Sequence, residues 1–302
     1  MTLTYSYEEA LAASKSYFNG SELPAKVFVD KYALRDKQNN LLESNPADMH
    51  KRIATELARI EAGKFSQPLS YDTIYSYLDN FKKIIPQGSI LYGMGNYSQY
   101  VTLSNCYVLD EMLDSYGGIH YADEQISQIS KRRGGCGTSL DHLRPAGMVT
   151  ANSSRTTTGI IPFAERLSNS IREVGQNGRR GALMLTLNVH HPQILDFARV
   201  KLDTTKVTGA NLSVKLTDEF LNAVENNTDY EQRWPVGGFT YNTDGSLAPT
   251  MSRMVPAREV WNEIIKCAHE MAEPGLLFWD NIIRESPADC YSTLGFHTIG
   301  CN

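Results

Sequence analysis

The stretches ALMLTLNVHHPQILDFARVK (182–201) and ANLSVKLTDEFLNAVE (210–225) decide the expected fold of this chain. Each begins with an apolar run of strand length and continues with the spacing of an amphipathic helix. Thr217 stands where it can cap the second of these helices. Strands that alternate in this way with helices indicate βαβ units and a parallel sheet.

The same alternation extends outward in both directions. Further strands are predicted at 105–110, 275–280 and 296–302, and further helices at 123–132, 158–175 and 257–272. The polar stretch 227–255 is predicted to be a surface excursion. Residues 1–85 instead show helical spacing throughout, with Asn45-Pro46 as a start signal, until Pro86-Gln87-Gly88-Ser89 interrupts the pattern. The expected organisation is a helical N-terminal domain (1–85) followed by an α/β region (86–302).

Composition narrows the functional classes. The 302 residues are 41% hydrophobic and 21% charged, with a net charge of -5, which is typical of a soluble globular protein. An acidic chain is a poor candidate for nucleic-acid binding. Five scattered cysteines without a CxxC pair indicate a reducing compartment and no zinc site. With neither a signal peptide nor a membrane-length apolar run, we expect a cytoplasmic protein that binds no membrane.

Two stretches combine glycines with arginines, GQNGRRGALM (175–184) and KRRGGCGTSLDHLRP (131–145). Glycine lets the backbone approach a ligand closely, and arginine offers forked donors to phosphate. Each stretch alone is also explained by the basic end of a helix followed by a turn. Together they favour a ligand that carries phosphate. A nucleic-acid groove fits less well, because no aromatic residues are interleaved with the arginines.

Single cysteines and histidines carry weaker signals. Cys106, in SNC (104–106), begins a predicted strand, although a lone cysteine is by default a small buried hydrophobe. The adjacent histidines of NVHHP (188–192) would point to different faces of a strand, so we interpret them as structural. The remaining cysteines are expected to serve packing.

Several longer motifs occur in one order along the chain: LSNCYVL, DSYGGI, KRRGGCGTSLDHLRP, NGRRGALMLTLNVHHPQILDF, KVTGANLSVKLTDEFLNAV, GLLFWDNIIRESPADC and GFHTIGCN. In that order they resemble the large (α, catalytic) subunit of ribonucleotide reductase. The resemblance implies a helical N-terminal domain followed by a ten-stranded α/β barrel made of two five-stranded halves. This chain would carry the helical domain and the first half-barrel.

The resemblance also implies a reaction. The family replaces the ribose 2′-hydroxyl by hydrogen, using a thiyl radical on a finger-loop cysteine and two further cysteines that become a disulfide. Cys106 matches the first of that pair. Asn302 matches the asparagine of the finger-loop motif Asn-x-Cys-x-Glu, which places the radical cysteine two positions further on. The chain alone is therefore expected to be inactive and to need a C-terminal remainder.

Binding residues follow from the same motifs. Substrate phosphate or ribose is expected at Ser89, in the loop before the first barrel strand, and at Ser104 and Asn105. A dNTP or ATP effector that sets substrate specificity is expected at Asp114, Arg144, Gln176, Arg179 and Arg180. The last three lie in the loop that reports effector identity to the substrate base in the family.

Cofactors and partners are implied in the same way. The radical would come from adenosylcobalamin or from a small, metal-containing β subunit, and the lack of an evident N-terminal ATP-cone favours the former. The substrate would be a ribonucleoside di- or triphosphate, the reductant thioredoxin or glutaredoxin, and the assembly a homodimer. No metal site is predicted in this chain. The alternative hypothesis is a nucleotide-binding half-barrel module with no catalytic role.

Overall fold

The computed structural model of the chain describes residues 3–174, 181–236 and 250–301. These residues belong to two compact units. The first comprises the chain up to Asn105 together with Lys131–Gly134, and the second comprises Cys106–Ser130, Gly135–Val174 and the described residues from Gly181 onward. Within the described residues, the helices are too short or too polar to cross a membrane.

Helices build the first unit. They are α1 (Tyr7–Tyr17), α2 (Glu22–Lys31), α3 (Pro46–Lys64), α4 (Tyr71–Leu78) and α5 (Gly88–Gly93). The predicted start of α3 is confirmed, because the Asn45 side chain accepts a hydrogen bond of 2.9 Å from the backbone N–H of Ala47. A core that includes Phe28, Met49 and Ile53 holds the helices together.

The end of α4 differs from the prediction. The apolar pattern continues to Ile85, but α4 ends at Leu78 and a single 3-10 turn, Asp79–Phe81, follows it. Asn80 in that turn has φ 52°, a left-handed conformation that an α-helix cannot contain and that asparagine tolerates. Ile85 is consequently 68% exposed.

A parallel sheet organises the second unit. Five strands lie in the order β1-β2-β3-β4-β7, and every neighbouring pair in the sheet is parallel. The predicted βαβ alternation and the five-stranded sheet are therefore confirmed. The strands of the unit are β1 (Cys106–Val108), β2 (Gly135–Ser139), β3 (Leu183–Asn188), β4 (Asn211–Leu216), β5 (Asp229–Trp234), β6 (Met251–Pro256) and β7 (Gly275–Phe278).

Helices connect these strands and cover the apolar face of the sheet. They are α6 (Tyr116–Ser130), α7 (Ile160–Glu173), α8 (Ile194–Arg199), α9 (Asp218–Asn226), α10 (Ala257–Met271) and α11 (Trp279–Glu285). Thr217 caps α9 as predicted, since its side chain accepts a hydrogen bond from the N–H of Phe220. The α6, α7 and α10 helices contribute Ile126, Leu167 and Ile264 to one continuous core with the strands.

The two faces of the sheet differ in chemistry because strand side chains alternate. Leu185, Leu187 and Val214 belong to the apolar core. The opposite face, called the polar face below, carries Cys106 and Val108 of β1, Ser139 of β2, Met184, Thr186 and Asn188 of β3, and Ser213 and Lys215 of β4. Its register aligns Ser139 with Thr186 and Thr186 with Ser213.

The predicted surface excursion at 227–255 has regular structure at both ends, and its N-terminal part is half buried while Ser252 to Met254 are exposed. β5 and β6 form an antiparallel hairpin there, and Tyr230, Gln232 and Trp234 of β5 are all buried. The alternation was hidden in the sequence because the buried set includes a glutamine, while Glu231 and Arg233 occupy the positions between. Residues 237–249 lie outside the described part of the chain.

One other expectation is also corrected. The predicted strand at 296–302 is not formed over residues 296–301, where a side chain binds the backbone in place of a strand ladder: Asp289 accepts a hydrogen bond from the N–H of Thr298. The stretch Gly135-Cys136-Gly137 forms the beginning of β2, where pairing to β1 and β3 fixes the backbone on both sides.

Candidate active site and regulatory site

Cys106 opens β1 on the polar face and is exposed. Its register partner on β2 is Gly135, so it lies at the amino end of the sheet rather than at the carboxyl end, where parallel sheets more often place chemistry. An accessible thiol at a strand end can reach a ligand and exchange with another sulfur.

The segment Ile299–Cys301 lies on the same polar face. A Cβ at Gly300 would come within 3.2 Å of Cγ1 of Val108, two residues after Cys106. The Cys301 Sγ is 3.5 Å from Sδ of Met184 on β3. The chain that leads to Asn302 therefore crosses the face that carries Cys106. Asn302 itself lies outside the described residues.

The other thiols are less suited to redox chemistry. Cys136 is fully buried, and burial raises the pKa of its thiol to about 12. Burial also raises the pKa values of Cys267 and Cys301. Cys290 is exposed but lies in the 3-10 turn Asp289–Leu294, away from the strands. Because the thiolate is the reactive form, accessibility on the polar face singles out Cys106.

Asp114 and Arg144, thirty positions apart, meet at a cavity of about 320 Å³. The Arg144 Nε donates to Asp114 Oδ2 at 2.5 Å, its backbone N–H donates to Asp114 Oδ1 at 3.2 Å, and its Nη1 donates to the Val149 carbonyl at 2.6 Å. The Trp234 ring centre lies 5.8 Å from the guanidinium. These contacts hold one charged fork at the edge of the cavity.

The cavity lining matches a nucleotide in polarity. It combines hydroxyl groups ahead of two helix starts with apolar surface from α6 and α7. The lining residues are Asp114, Ser115, Tyr116, Ile119, Arg144, Thr150, Ala151, Asn152, Ser154, Thr156, Thr157, Thr158 and Phe163. Helix starts and hydroxyls suit phosphate, a carboxylate suits a sugar hydroxyl, and aromatic surface suits a base.

Gln193 holds the loop that forms one wall of this cavity. Its Oε1 accepts hydrogen bonds from the N–H groups of Ala146 and Ile160, at 3.0 and 3.1 Å, and so ties together both ends of the loop. Only glycine fits at position 159, where φ is +82° and a Cβ would lie 2.1 Å from Gln193 Oε1. Neither residue was predicted from the sequence, although a glycine directly before a helix is a visible signal.

His191 supports the same region from below. Burial lowers the pKa of this imidazole, which keeps it neutral. Its Nδ1 accepts from the N–H of Gln193, so its Nε2 carries the proton and donates to the Leu143 carbonyl at 2.9 Å. The structural interpretation of this histidine is therefore confirmed, and it fixes the residue that precedes Arg144.

The predicted substrate residues lie in the first unit. Ser89 is buried at the start of α5, not in a loop, and its N–H donates to Asn105 Oδ1 at 2.9 Å. Asn105 Nδ2 donates in turn to Gln87 Oε1 at 2.8 Å. Ser104 is exposed beside them, and its N–H donates to Thr102 Oγ1. The structure thus brings Ser89 and Asn105 into direct contact.

Arg133, the third basic residue of the stretch before β2, is buried rather than exposed to solvent. Arg133 is only 5% exposed, its guanidinium lies 3.8 Å above the Tyr92 ring, and it donates to the Lys31 carbonyl at 3.0 Å. The first unit therefore uses Arg133 for packing. Gln176, Arg179 and Arg180 lie outside the described residues. Among those described, no cluster of three His, Cys, Asp or Glu side chains could hold a metal.

Comparison with known proteins adds a family. The model of the family described as "Ribonucleotide reductase, barrel domain" matches residues 104–294. The vitamin B12-dependent ribonucleoside-diphosphate reductase of Mycobacterium tuberculosis (strain CDC 1551 / Oshkosh) is 30% identical over 86% of this chain and 36% of its own length. That of Thermoplasma acidophilum is 30% identical over 70% of the chain and 27% of its own length.

A second group of relatives carries no mention of vitamin B12 in its names. The ribonucleoside-diphosphate reductase large subunit of Arabidopsis thaliana is 26% identical over 61% of the chain and 25% of its own length. This chain therefore spans about a third or less of the length of the curated relatives it matches.

Proposed function

This chain belongs to the ribonucleotide reductase family, and we propose that it forms the N-terminal portion of a catalytic subunit that reduces ribonucleotides. The observation that carries the proposal is the exposed Cys106 on the same sheet face as the segment that leads to Asn302. A redox thiol and a finger loop must share one face if both are to reach one ribose. The substrate class is a ribonucleoside diphosphate, the class that the relatives are named for.

The chemistry assigns Cys106 two tasks. Its thiol protonates the departing 2′-hydroxyl, so that the C2′–O bond breaks with release of water. Its sulfur then forms a disulfide with a second cysteine from the C-terminal remainder, and the two thiols together supply the two electrons and two protons that the reduction consumes. Thioredoxin or glutaredoxin restores the thiols afterward. Asn302 orients the ribose and a carboxylate beside the radical cysteine.

The Asp114–Arg144 cavity is assigned to a regulatory dNTP or ATP. Arg144 would bind phosphate and Asp114 a sugar hydroxyl, while Gln176, Arg179 and Arg180 would relay the identity of the base to the substrate. Ser89, Ser104 and Asn105 would contact substrate phosphate or ribose. The hydroxyl-rich lining and the volume of about 320 Å³ support a single nucleotide at this site.

Adenosylcobalamin is the favoured radical source, because the vitamin B12-dependent relatives named above match more of the chain at higher identity than the Arabidopsis thaliana large subunit does. A metal-containing β subunit is the alternative. The cavity of about 320 Å³ at Arg144 is too small for a corrinoid. A cytoplasmic homodimer completes the proposal, and exposed Leu113, Tyr116 and Tyr121 at α6 offer it an apolar contact surface.

Reconstitution tests the proposal. The chain is combined with a C-terminal portion beginning at Pro-Cys-Gly-Glu, and deoxynucleotide formation from each NDP is measured by chromatography with adenosylcobalamin and, separately, with a β subunit. We expect product only in the combined sample. A folded pair that binds dNTP but reduces no nucleotide would instead support the non-catalytic binding module.

A further inference from the structure

Lys215 is a buried lysine on strand β4. Burying an ammonium costs folding free energy unless the charge is paired. Lys215 lies on the polar face of β4 and is 2% exposed. Its Nζ donates to Asp141 Oδ2 at 3.0 Å and to Ser139 Oγ at 3.1 Å, and it lies 4.3 Å from the centre of the Trp279 ring. A carboxylate, a hydroxyl and an aromatic ring therefore stabilise the buried ammonium.

The carboxylate that pairs with Lys215 is itself fixed. Asp141 Oδ1 accepts a hydrogen bond of 2.6 Å from the N–H of Asn188, at the end of β3. Ser139 Oγ also accepts from the N–H of Asp141 at 3.2 Å. The Lys215 ammonium is consequently held at one position relative to β2, β3 and β4.

The remaining direction of this ammonium points to the backbone of the segment Ile299–Cys301. Nζ lies 3.4 Å from the Ile299 carbonyl, which has no strand ladder to satisfy it. An ammonium has three donors, and Asp141, Ser139 and Ile299 supply three acceptors. Two further contacts of the segment with the sheet, Gly300 against Val108 and Cys301 against Met184, involve no charged group.

We infer that Lys215 is a positioning residue, which fastens the segment Ile299–Cys301 to the polar face and so fixes the point from which the chain continues into Asn302. The inference rests on the proposed function only in its consequence for catalysis. A charge-assisted bond to a fixed ammonium holds a backbone more firmly than apolar contact alone. The Ile299 carbonyl is thereby held at a set place relative to Cys106.

Alkylation of Cys301 tests the inference without substrate or radical. The variant Lys215→Met/Asp141→Asn removes both charges, so no unpaired ion is left buried, and Asn can still accept from Asn188. Labelling by iodoacetamide is followed residue by residue with mass spectrometry on the 302-residue chain. We expect Cys301 to react about tenfold faster than in wild type when rates are compared at equal thiolate fraction, since a charge-assisted bond to its segment is lost. The comparison needs this correction because the Lys215 charge lowers the pKa of the Cys301 thiol, so its removal alone slows alkylation.

Two control variants separate fastening from general stability. Lys201→Met removes a half-buried lysine that pairs with Glu273 at 2.7 Å, away from the segment, and should leave Cys301 labelling unchanged. Lys215→Arg keeps the charge and should restore most of the protection. Equal Cys301 labelling in wild type and the double variant, or an equal rise in Lys201→Met, overturns the inference.

Unfolding has its own signature in this experiment, because the buried Cys136 and Cys267 would then react as well. If the double variant shows it, Lys215→Gln is measured in its place, with the same expected and contradicting results. Alkylation is independent of turnover. A failed inference therefore leaves the proposed reduction standing, and a failed reduction leaves the labelling result standing.

Discussion

Replacing Cys106 by serine is expected to lower nucleotide reduction by the reconstituted enzyme by about 10²- to 10⁴-fold, the range for removing a positioned proton-transfer group. A hydroxyl can neither protonate the leaving 2′-hydroxyl as readily as a thiol nor form a disulfide. Serine is nearly isosteric and the position is exposed, so folding should be unaffected. Product formation under saturating NDP and effector is the measurement.

Cys290→Ser is the matched control for this variant. Cys290 is equally exposed but belongs to a 3-10 turn outside the sheet, so its loss should leave the rate close to wild type. Binding of dNTP should be the same in both variants, because neither residue lines the Arg144 cavity. A Cys106→Ser enzyme with near wild-type turnover would remove Cys106 from the mechanism.

Arg144→Gln is expected to weaken dNTP binding to the chain on the order of 10- to 100-fold, which corresponds to the loss of hydrogen bonds to a charged group. The guanidinium is the cation of the cavity lining, and Asp114 and the Val149 carbonyl hold it in place. Glutamine keeps some length and polarity but carries no charge for phosphate. Isothermal titration with each dNTP is the measurement.

Arg166→Gln provides the comparison for Arg144. Arg166 also forms an ion pair, with Asp123 at 3.0 Å, but it is half exposed on α7 and does not line the cavity. Its replacement should change the dNTP affinity by less than about twofold, because surface ion pairs contribute little. Similar losses in both variants, or none in Arg144→Gln, would contradict the assignment of this cavity.

The sheet was predictable because local signals and the global fold agree in it. The apolar runs at β3 and β4, the cap at Thr217 and the start at Asn45-Pro46 each have short-range causes, and all are confirmed. The end of α4 was not predicted, because two adjacent residues with positive φ, Asn80 and Phe81, follow the helix where the apolar positions continue its spacing.

The features that could not be predicted depend on contacts between residues that are far apart in the sequence. The β5–β6 hairpin buries Gln232, so its alternation does not show as apolar and polar. The segment 296–301 has the composition of a strand, but it binds the sheet through the Lys215 ammonium instead of a ladder. No residue close to Lys215 in the sequence indicates that Asp141, seventy-four positions earlier, pairs with its charge.

The candidate sites also combine features that the sequence predicts with features that depend on long-range contacts. Spacing alone could not bring Asp114 to Arg144 or Gln193 to the loop before α7, since these contacts depend on how α6, α7 and α8 pack. The family resemblance identified Asp114, Arg144 and Cys106 as candidate site residues. It could do so because motifs in a known order align single positions whose neighbouring residues do not by themselves indicate a function. The burial of Arg133, a basic residue beside glycines, could not be predicted from the sequence either.

A single turnover shows whether Cys106 is oxidised as the nucleotide is reduced. Pre-reduced, reconstituted enzyme is mixed with NDP, effector and radical source but no external reductant, quenched in acid, alkylated and mapped by mass spectrometry. We expect Cys106 to enter a disulfide in proportion to the deoxynucleotide formed, while Cys136 and Cys267 remain thiols. Deoxynucleotide formation with Cys106 still a free thiol would contradict it.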